Sequence, residues 1–68
     1  MIKMYLHIKL AEKRMSYKEL SAVIGIRPAT ISAYCNETYK QIVKEHLDVL
    51  CNFFNCKLED IIKFEKEE

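Results

Sequence analysis

The strongest constraint on the fold is a set of helix start and stop signals close together between Ser16 and Pro28. Ser16 and Glu19 have the spacing of a capping box, in which the serine hydroxyl accepts from the Glu19 amide and the glutamate carboxylate accepts from the Ser16 amide. Gly25 is suited to end that helix, because glycine enters the left-handed conformation without steric penalty. Pro28 is suited to the first position of a new helix, where its missing N–H would have no partner anyway. The segment therefore predicts two short helices joined by a tight turn.

Apolar residues at helical spacing predict five helices in all. Their expected bounds are 5–14, 17–24, 28–35, 43–54 and a brief fifth helix from about residue 57 to residue 62. Ile2 and Met4 alternate with polar neighbours, so the first few residues are expected to pair as a short strand with residues 63–65. One Gly and one Pro in the whole chain also favour long regular elements. The predicted fold class is all-α, a compact five-helix domain with short terminal strands.

The same periodicity predicts which side chains form the core. The expected core residues are Leu6, Ile8, Leu10, Ala11, Leu20, Val23, Ile24, Ile26, Ile31, Tyr34, Ile42, Leu47, Leu50, Cys51, Phe54, Leu58, Ile61 and Ile62, with Phe64 packing back onto the body. At about 100° per residue, Ile31 and Tyr34 fall on the side of the third helix that receives Ile26. The opposite arc of that helix carries Pro28, Ala29, Ser32, Ala33 and Asn36. This second arc is the candidate functional face.

Length and charge limit what such a domain can do. A chain of 68 residues supports one core, so residues 1–68 are expected to form a single domain with a helix-turn-helix unit at about 17–35. The net charge of +1 is weaker than the basic balance typical of nucleic-acid-binding domains. Acids concentrate at the end of the chain, in an acidic tail at about 64–68, and residues 1–58 carry nine bases and five acids. The body can therefore contact phosphate if the tail lies away from the contact surface.

Several classes of function are not indicated by the sequence. No apolar stretch is long enough to span a membrane and the N-terminus lacks a signal peptide, so the chain is expected in the cytosol. Cys35, Cys51 and Cys56 lack paired CxxC spacing, and His7 and His46 are isolated, so neither a metal site nor a disulfide framework is expected. No cofactor or small-molecule motif is present. No catalytic nucleophile and base are paired, so an enzyme is not expected.

At this point the residues resemble a known family. The segments that carry the resemblance are Leu10-Ala11-Glu12-Lys13 through Met15-Ser16, Glu19-Leu20, Gly25-Ile26, Ala29-Thr30-Ile31-Ser32, Leu47-Asp48-Val49-Leu50-Cys51 and Leu58-Glu59-Asp60-Ile61-Ile62. They are similar to the Cro/CI (Xre-like) helix-turn-helix domain over nearly the whole chain. The resemblance implies a five-helix fold that binds double-stranded DNA in a sequence-specific way. It also implies a transcriptional regulator, expected here to be a repressor, that acts as a homodimer.

Carried over by position, the resemblance implies two kinds of DNA contact. The base-reading positions fall on Pro28, Ala29, Ser32 and Ala33, with Arg27 and Thr30 flanking them at the groove edge. The phosphate-contact positions fall on Tyr17, Asn36 and Lys40. Short side chains let the helix backbone sit deep in the major groove, where alanine and threonine methyl groups can touch thymine methyl groups. Arg27 is expected to reach guanine or phosphate.

Two further expectations concern partners. Phe53, Phe54 and Phe64 exceed what one small core needs, so a homodimer through the fourth and fifth helices is expected to cover the excess. A two-fold dimer would place its reading helices about 34 Å apart, which matches an inverted repeat on one face of the duplex. The alternative function is a protein-interaction module that keeps the fold but does not bind DNA. The short side chains of the reading face and the near-neutral charge favour that alternative.

Overall fold

The structure is a computed structural model that describes residues 1–66, and its regular elements there are four α-helices, one 3-10 turn and two short strands. In chain order they are β1 (Ile2–Met4), α1 (Leu6–Lys13), α2 (Tyr17–Ile24), α3 (Pro28–Asn36), α4 (Lys44–Phe54), the 3-10 turn (Leu58–Asp60) and β2 (Ile62–Phe64). The mostly helical fold is confirmed, and each α-helix begins and ends within one residue of its predicted bounds. Within residues 1–66, no helix has the length and apolar character needed to cross a bilayer.

The signals between α1 and α3 act as predicted. The Ser16 hydroxyl accepts from the Glu19 amide at 3.1 Å, and the Glu19 carboxylate accepts from the Ser16 amide at 2.9 Å. Gly25 ends α2 with φ of 78°, and Pro28 opens α3. The turn between the two helices is only three residues long, from Gly25 to Arg27. Local capping chemistry therefore fixes where α2 ends and α3 begins.

The left-handed backbone at Gly25 gives a first prediction. A Cβ at this position would meet no heavy atom within 4 Å, so the strain of a positive φ is the expected effect of an alanine. Gly25→Ala should lower the free energy of unfolding by about 1 kcal/mol, measured by urea denaturation. Asn55→Gly is the control, because Asn55 ends α4 with φ of 51° and glycine relieves strain there. A Gly25→Ala protein as stable as the wild type would contradict the described turn.

The predicted fifth helix is wrong, since the chain makes a single 3-10 turn at Leu58–Asp60 and then extends into β2. The Asp60 amide donates to the Lys57 carbonyl at 3.0 Å, and the Lys57 amide donates to the Asp60 carboxylate at 3.1 Å. These bonds close one turn. The extended backbone after it buries Ile61 completely and lets β2 pair with β1, while Leu58 is half exposed. Strand pairing therefore outweighs the helical spacing in this segment.

The two terminal strands form an antiparallel pair, close to the predicted one. Its register places Ile2 opposite Phe64, Lys3 opposite Lys63 and Met4 opposite Ile62. The expected packing of Phe64 onto the body is wrong, because Phe64 lies at the outer end of the pair and is 68% exposed. Of the expected acidic tail, Phe64 belongs to β2, and Glu65 extends the pairing by exchanging backbone hydrogen bonds with Met1. Glu67 and Glu68 lie outside the described residues.

Ten buried side chains form one core shared by the sheet and all four α-helices. They are Met4, Leu6, Leu10, Leu20, Ile26, Ile31, Tyr34, Leu50, Phe54 and Ile61. Ile24, Ile42, Leu47, Cys51 and Ile62 pack against this core while partly exposed. Most of the predicted core is therefore confirmed, including the two residues that fix α3, Ile31 and Tyr34.

Besides Leu58 and Phe64, three more predicted core residues are wrong, because Ile8, Ala11 and Val23 are exposed. In α1 only the stripe made by Leu6 and Leu10 is buried, and Ile8 lies about 200° around the helix from Leu6. Val23 is 60% exposed, since α2 packs on α3 and α4 with one narrow face. Helices of eight residues bury too few turns for a wide apolar face to be covered.

Candidate nucleic-acid interface

The helix α3 has one buried face and one accessible face. Ile31 and Tyr34 point into the core with 0% and 1% of their surface exposed. The six predicted base-reading residues are all accessible: Arg27, Pro28 and Ala29 are exposed, and Thr30, Ser32 and Ala33 are half-buried. The structure thus leaves the arc opposite the core open, with small side chains along it.

The buried face of α3 is held by a polar contact that sequence reasoning missed. The Tyr34 hydroxyl shares a 2.7 Å hydrogen bond with Nδ1 of His46, and it accepts from the Val43 amide at 3.3 Å. The Tyr34 ring also packs edge-on against the Tyr39 ring, with centroids 5.8 Å apart. A buried tyrosine needs a hydrogen-bond partner, which is the one sequence signal that could have pointed to His46. This contact ties α3 to the start of α4.

One edge of the accessible arc is polar and brings together three predicted contact residues, Tyr17, Ser32 and Asn36. The Asn36 amide donates to the Ser32 hydroxyl at 3.1 Å. Tyr17, at the start of α2, lies beside Cys35 and Asn36, and the charge of a Cys35 thiolate, followed by desolvation, raises the pKa of the tyrosine hydroxyl. The ordinary pKa of a tyrosine hydroxyl is near 10, so with a pKa raised from that value the Tyr17 hydroxyl is protonated near neutral pH. Tyr17 can therefore donate a hydrogen bond to an anion.

The other edge of the arc borders an open hollow of about 390 Å³ between α3 and the segment leading into α4. Its lining residues are Ala29, Thr30, Ala33, Tyr34, Tyr39, Lys40, Gln41, Val43 and His46. Lys40, a predicted phosphate contact, is therefore near the base-reading residues Ala29, Thr30 and Ala33. The segment before α4 has no periodic pattern, so Tyr39, Gln41 and Val43 could not be placed here from sequence.

Two exposed positive charges border the arc: Arg27 directly precedes α3, and Lys40 lines the hollow. Lys18, Arg27, Lys40 and Lys44 are exposed, and the ion pair found within residues 1–66 joins Lys9 to Glu12 instead. The two acids nearest the arc in sequence are occupied by backbone amides. Glu19 accepts from the Ser16 amide, and Glu37 accepts from the Met4 amide at 2.9 Å. The arrangement favours an anionic partner.

The cysteine beside the arc has the character of a packed thiol. Cys35 is half-buried, and desolvation raises the pKa of its thiol, an effect that its hydrogen bond with Tyr17 partly offsets. Desolvation also raises the pKa of Cys51, which lies near Cys56. Among residues 1–66, no three His, Cys, Asp or Glu side chains are grouped as metal ligands. Cys35 therefore contributes packing between α2 and α3.

Known proteins share this fold and this sequence pattern. A crystal structure of a candidate DNA-binding protein from Bacteroides fragilis superposes with a TM-score of 0.79 over 93% of this chain and 100% of that one, at 24% identity. The uncharacterized HTH-type transcriptional regulator YozG of Bacillus subtilis (strain 168) is 33% identical over 61 residues, which are 90% of this chain and 73% of that protein. A family profile described as the Cro/C1-type HTH DNA-binding domain matches residues 5–67. The chain belongs to this Cro/C1-type family of helix-turn-helix DNA-binding domains.

Proposed function

We propose that this chain is a sequence-specific transcriptional repressor that binds double-stranded DNA as a homodimer in the cytosol. Residues 1–68 would form one DNA-binding domain, with the helix-turn-helix unit at 17–35 and α3 in the major groove. The observation that carries the proposal is the accessible arc of α3, opposite the buried Ile31 and Tyr34. Repression needs only occupancy of a promoter. The family is one of DNA-binding regulators and not a class of enzymes.

In this proposal the small side chains of α3 read DNA by close approach. Ala29, Ala33 and the Thr30 methyl group contact thymine methyl groups, while Ser32 hydrogen bonds to a base edge. Pro28 starts the helix without an N–H that would have to be desolvated in the groove. Arg27 provides the long donor side chain that reaches guanine or phosphate. Base preference then comes from a few apolar contacts, the Ser32 hydroxyl and one arginine.

Phosphate contacts flank the reading arc on both sides. Tyr17 and Asn36 lie at the polar edge and can donate neutral hydrogen bonds to the phosphate oxygens of one strand. Lys40 lies at the opposite edge, beside the hollow, and brings a full positive charge. Because few phosphates are neutralised by charged groups, we expect a moderate dependence of affinity on salt.

Single alanine substitutions separate these two kinds of contact. On the best-bound duplex from a random pool, Arg27→Ala should weaken binding about tenfold and reduce the discrimination against altered base pairs. Lys40→Ala should weaken all duplexes by a common factor and reduce the slope of log affinity against log salt by about 1. Fluorescence anisotropy at several salt concentrations measures both effects.

The matched control is Lys57→Ala, which removes the same charge from an exposed position beside the 3-10 turn. It should leave affinity and salt slope within about twofold of the wild type. Unchanged affinity in both Arg27→Ala and Lys40→Ala would refute the assigned surface. An equal loss in Lys57→Ala would show that only net charge matters.

One alternative is favoured by specific observations. The reading arc is made of short side chains, and the net charge of the chain is only +1. Both features suit a protein-interaction module that has the helix-turn-helix fold and does not bind DNA. Such a module would have no salt-dependent affinity for any duplex, so the same titration distinguishes the two functions.

A further inference from the structure

An apolar row runs from the core to the surface across the two-stranded sheet. Met4 and Ile62 lie opposite each other at its inner end, and Met4 is 2% exposed. Two residues further out along each strand, and on the same face, Ile2 and Phe64 lie opposite each other with 48% and 68% of their surfaces exposed. The sheet thus presents an aromatic and an aliphatic side chain to solvent next to the core.

The two edges of this sheet differ. Met1 and Glu65 exchange backbone hydrogen bonds, so alternation along the ladder directs the amides of Ile2, Met4, Ile62 and Phe64 outward. On β1 the outward Met4 amide is already bonded to the Glu37 carboxylate at 2.9 Å, which leaves the Ile2 amide as the outward one without an acceptor within residues 1–66. On β2 the outward amides of Ile62 and Phe64 have no acceptor within residues 1–66. An unpaired strand edge is a template for another strand, and here that edge is β2.

We infer that the free edge of β2 pairs with β2 of a second copy, antiparallel about a two-fold axis at Phe64, and that this pairing forms the dimer. The inference rests on the homodimer of the proposed function and names its surface. The product is a four-stranded sheet in which the two β2 strands are central. Both unsatisfied amides of each edge then gain acceptors.

The charges favour this register over the one with its axis at Lys63. With the axis at Phe64, each Lys63 lies opposite the partner's Glu65, and opposite charges at such positions are stabilising. With the axis at Lys63 instead, two lysines would lie opposite each other, which is destabilising. The Phe64 axis also joins the two apolar rows, since Phe64 meets the partner's Phe64 between the two Ile2 side chains. The charge pairs and the burial of apolar side chains therefore favour the same register.

Tyr5 contacts both charged side chains of this pairing, Lys63 and Glu65, within the same chain. The Tyr5 hydroxyl donates to the Glu65 carboxylate, and the Lys63 ammonium lies 5.2 Å from the centre of the Tyr5 ring. Side chains that are already ordered lose less conformational entropy on association. The pairing of two short strands still buries less than the roughly 1,200 Å² of stable interfaces. The free protein should therefore form a weak dimer that DNA stabilises.

The dimer surface expected from sequence was the fourth and fifth helices, but the phenylalanines of α4 are less exposed than Phe64. Phe54 is 9% exposed, and Phe53 is half-buried with its ring 5.0 Å from that of Phe54. Phe64 is the phenylalanine that the fold leaves exposed. Glu37 also joins the sheet to the reading helix, because it ends α3 and accepts from the Met4 amide. Pairing of the sheets would thus set the relative orientation of the two α3 helices.

Sedimentation equilibrium of the full chain at concentrations up to about 1 mM tests the surface. Phe64→Glu should raise the dimer dissociation constant at least about tenfold, because two carboxylates would meet at the axis. Leu58→Glu is the matched control: Leu58 is 51% exposed on the surface after α4, and its loss should change the constant less than about twofold. Circular dichroism verifies that each variant is folded. No self-association of the wild type, or a dimer broken by Leu58→Glu and not by Phe64→Glu, would overturn the inference.

Two further readouts test the register without relying on Phe64→Glu. Lys63→Glu should weaken the dimer, and the exchanged pair Lys63→Glu with Glu65→Lys should restore it. Amide exchange at Phe64 and Ile62 should slow as protein concentration rises, while exchange at Ile2, on the β1 edge, should not change. Failure of the exchanged pair to restore dimerisation, or protection at Ile2 alone, would contradict the β2 pairing.

The two proposals can fail separately. Monomeric Phe64→Glu should bind a duplex with a single half-site as the wild type does, and should lose only the gain from a second half-site. A wild type that dimerises through Phe64 but binds no duplex refutes the proposed function alone. A Phe64→Glu protein that binds an inverted repeat with undiminished cooperativity refutes the dimer surface alone.

Discussion

Replacing Ala29 by glutamate should weaken binding to the best-bound duplex about 100-fold while the domain remains folded. Ala29 is exposed in the first turn of α3, where the proposed complex places it in the major groove. A carboxylate there would face the phosphates, and like charges brought together in an interface destabilise it by several kcal/mol. An acid near a helix N-terminus is tolerated or slightly stabilising. Anisotropy and thermal unfolding measured on the same sample separate binding from folding.

The control for this prediction is Ala11→Glu, which makes the same chemical change on the exposed side of α1. Its effect on affinity should stay within about threefold, because a distant surface charge is largely screened at physiological salt. Equal losses in the two variants would mean that net charge, and not the α3 arc, governs binding. A folded Ala29→Glu protein with wild-type affinity would place the DNA on another surface.

Ile31→Ala should produce the largest loss of stability, about 2 to 5 kcal/mol. Ile31 is fully buried in α3 and holds that helix against the core. A domain of this size has a total stability of about 3 to 10 kcal/mol, so the loss is a large share of it. Urea denaturation followed by circular dichroism measures the change in the free energy of unfolding.

Val23→Ala is the comparison, since Val23 was also expected in the core but is 60% exposed on the neighbouring helix α2. Its removal should change the free energy of unfolding by no more than about 0.5 kcal/mol. Losses of similar size in the two variants would contradict the described burial. The pair therefore tests the orientation of α2 and α3 together.

The parts of the fold that could be predicted are those with local causes. The Ser16 capping box, Gly25 and Pro28 each act within one helical turn, so α2, its turn and the start of α3 are correct. The segment after α4 depends on a distant partner. Leu58, Ile61 and Ile62 have helical spacing, but Ile62 pairs with β1 at the other end of the chain, and a strand forms.

The candidate site also has a part that could be predicted from local sequence and a part that depends on distant contacts. The accessible arc of α3 follows from helical geometry and from the buried positions of Ile31 and Tyr34, so its residues could be chosen from sequence. The contact of His46 with Tyr34 and the bond from the Met4 amide to Glu37 join segments far apart in sequence. Neither has a periodic pattern. Similarly, only the packing shows that Phe64, among the three phenylalanines, is left exposed.

Selection of duplexes from a random-sequence pool by the purified chain, followed by a salt titration of the best binder, tests the central claim most directly. The proposed function predicts an enriched inverted repeat whose half-sites lie about one helical turn apart, bound more weakly as salt rises. No enrichment, with weak binding that salt does not change, would contradict DNA recognition by α3 and favour the protein-interaction module.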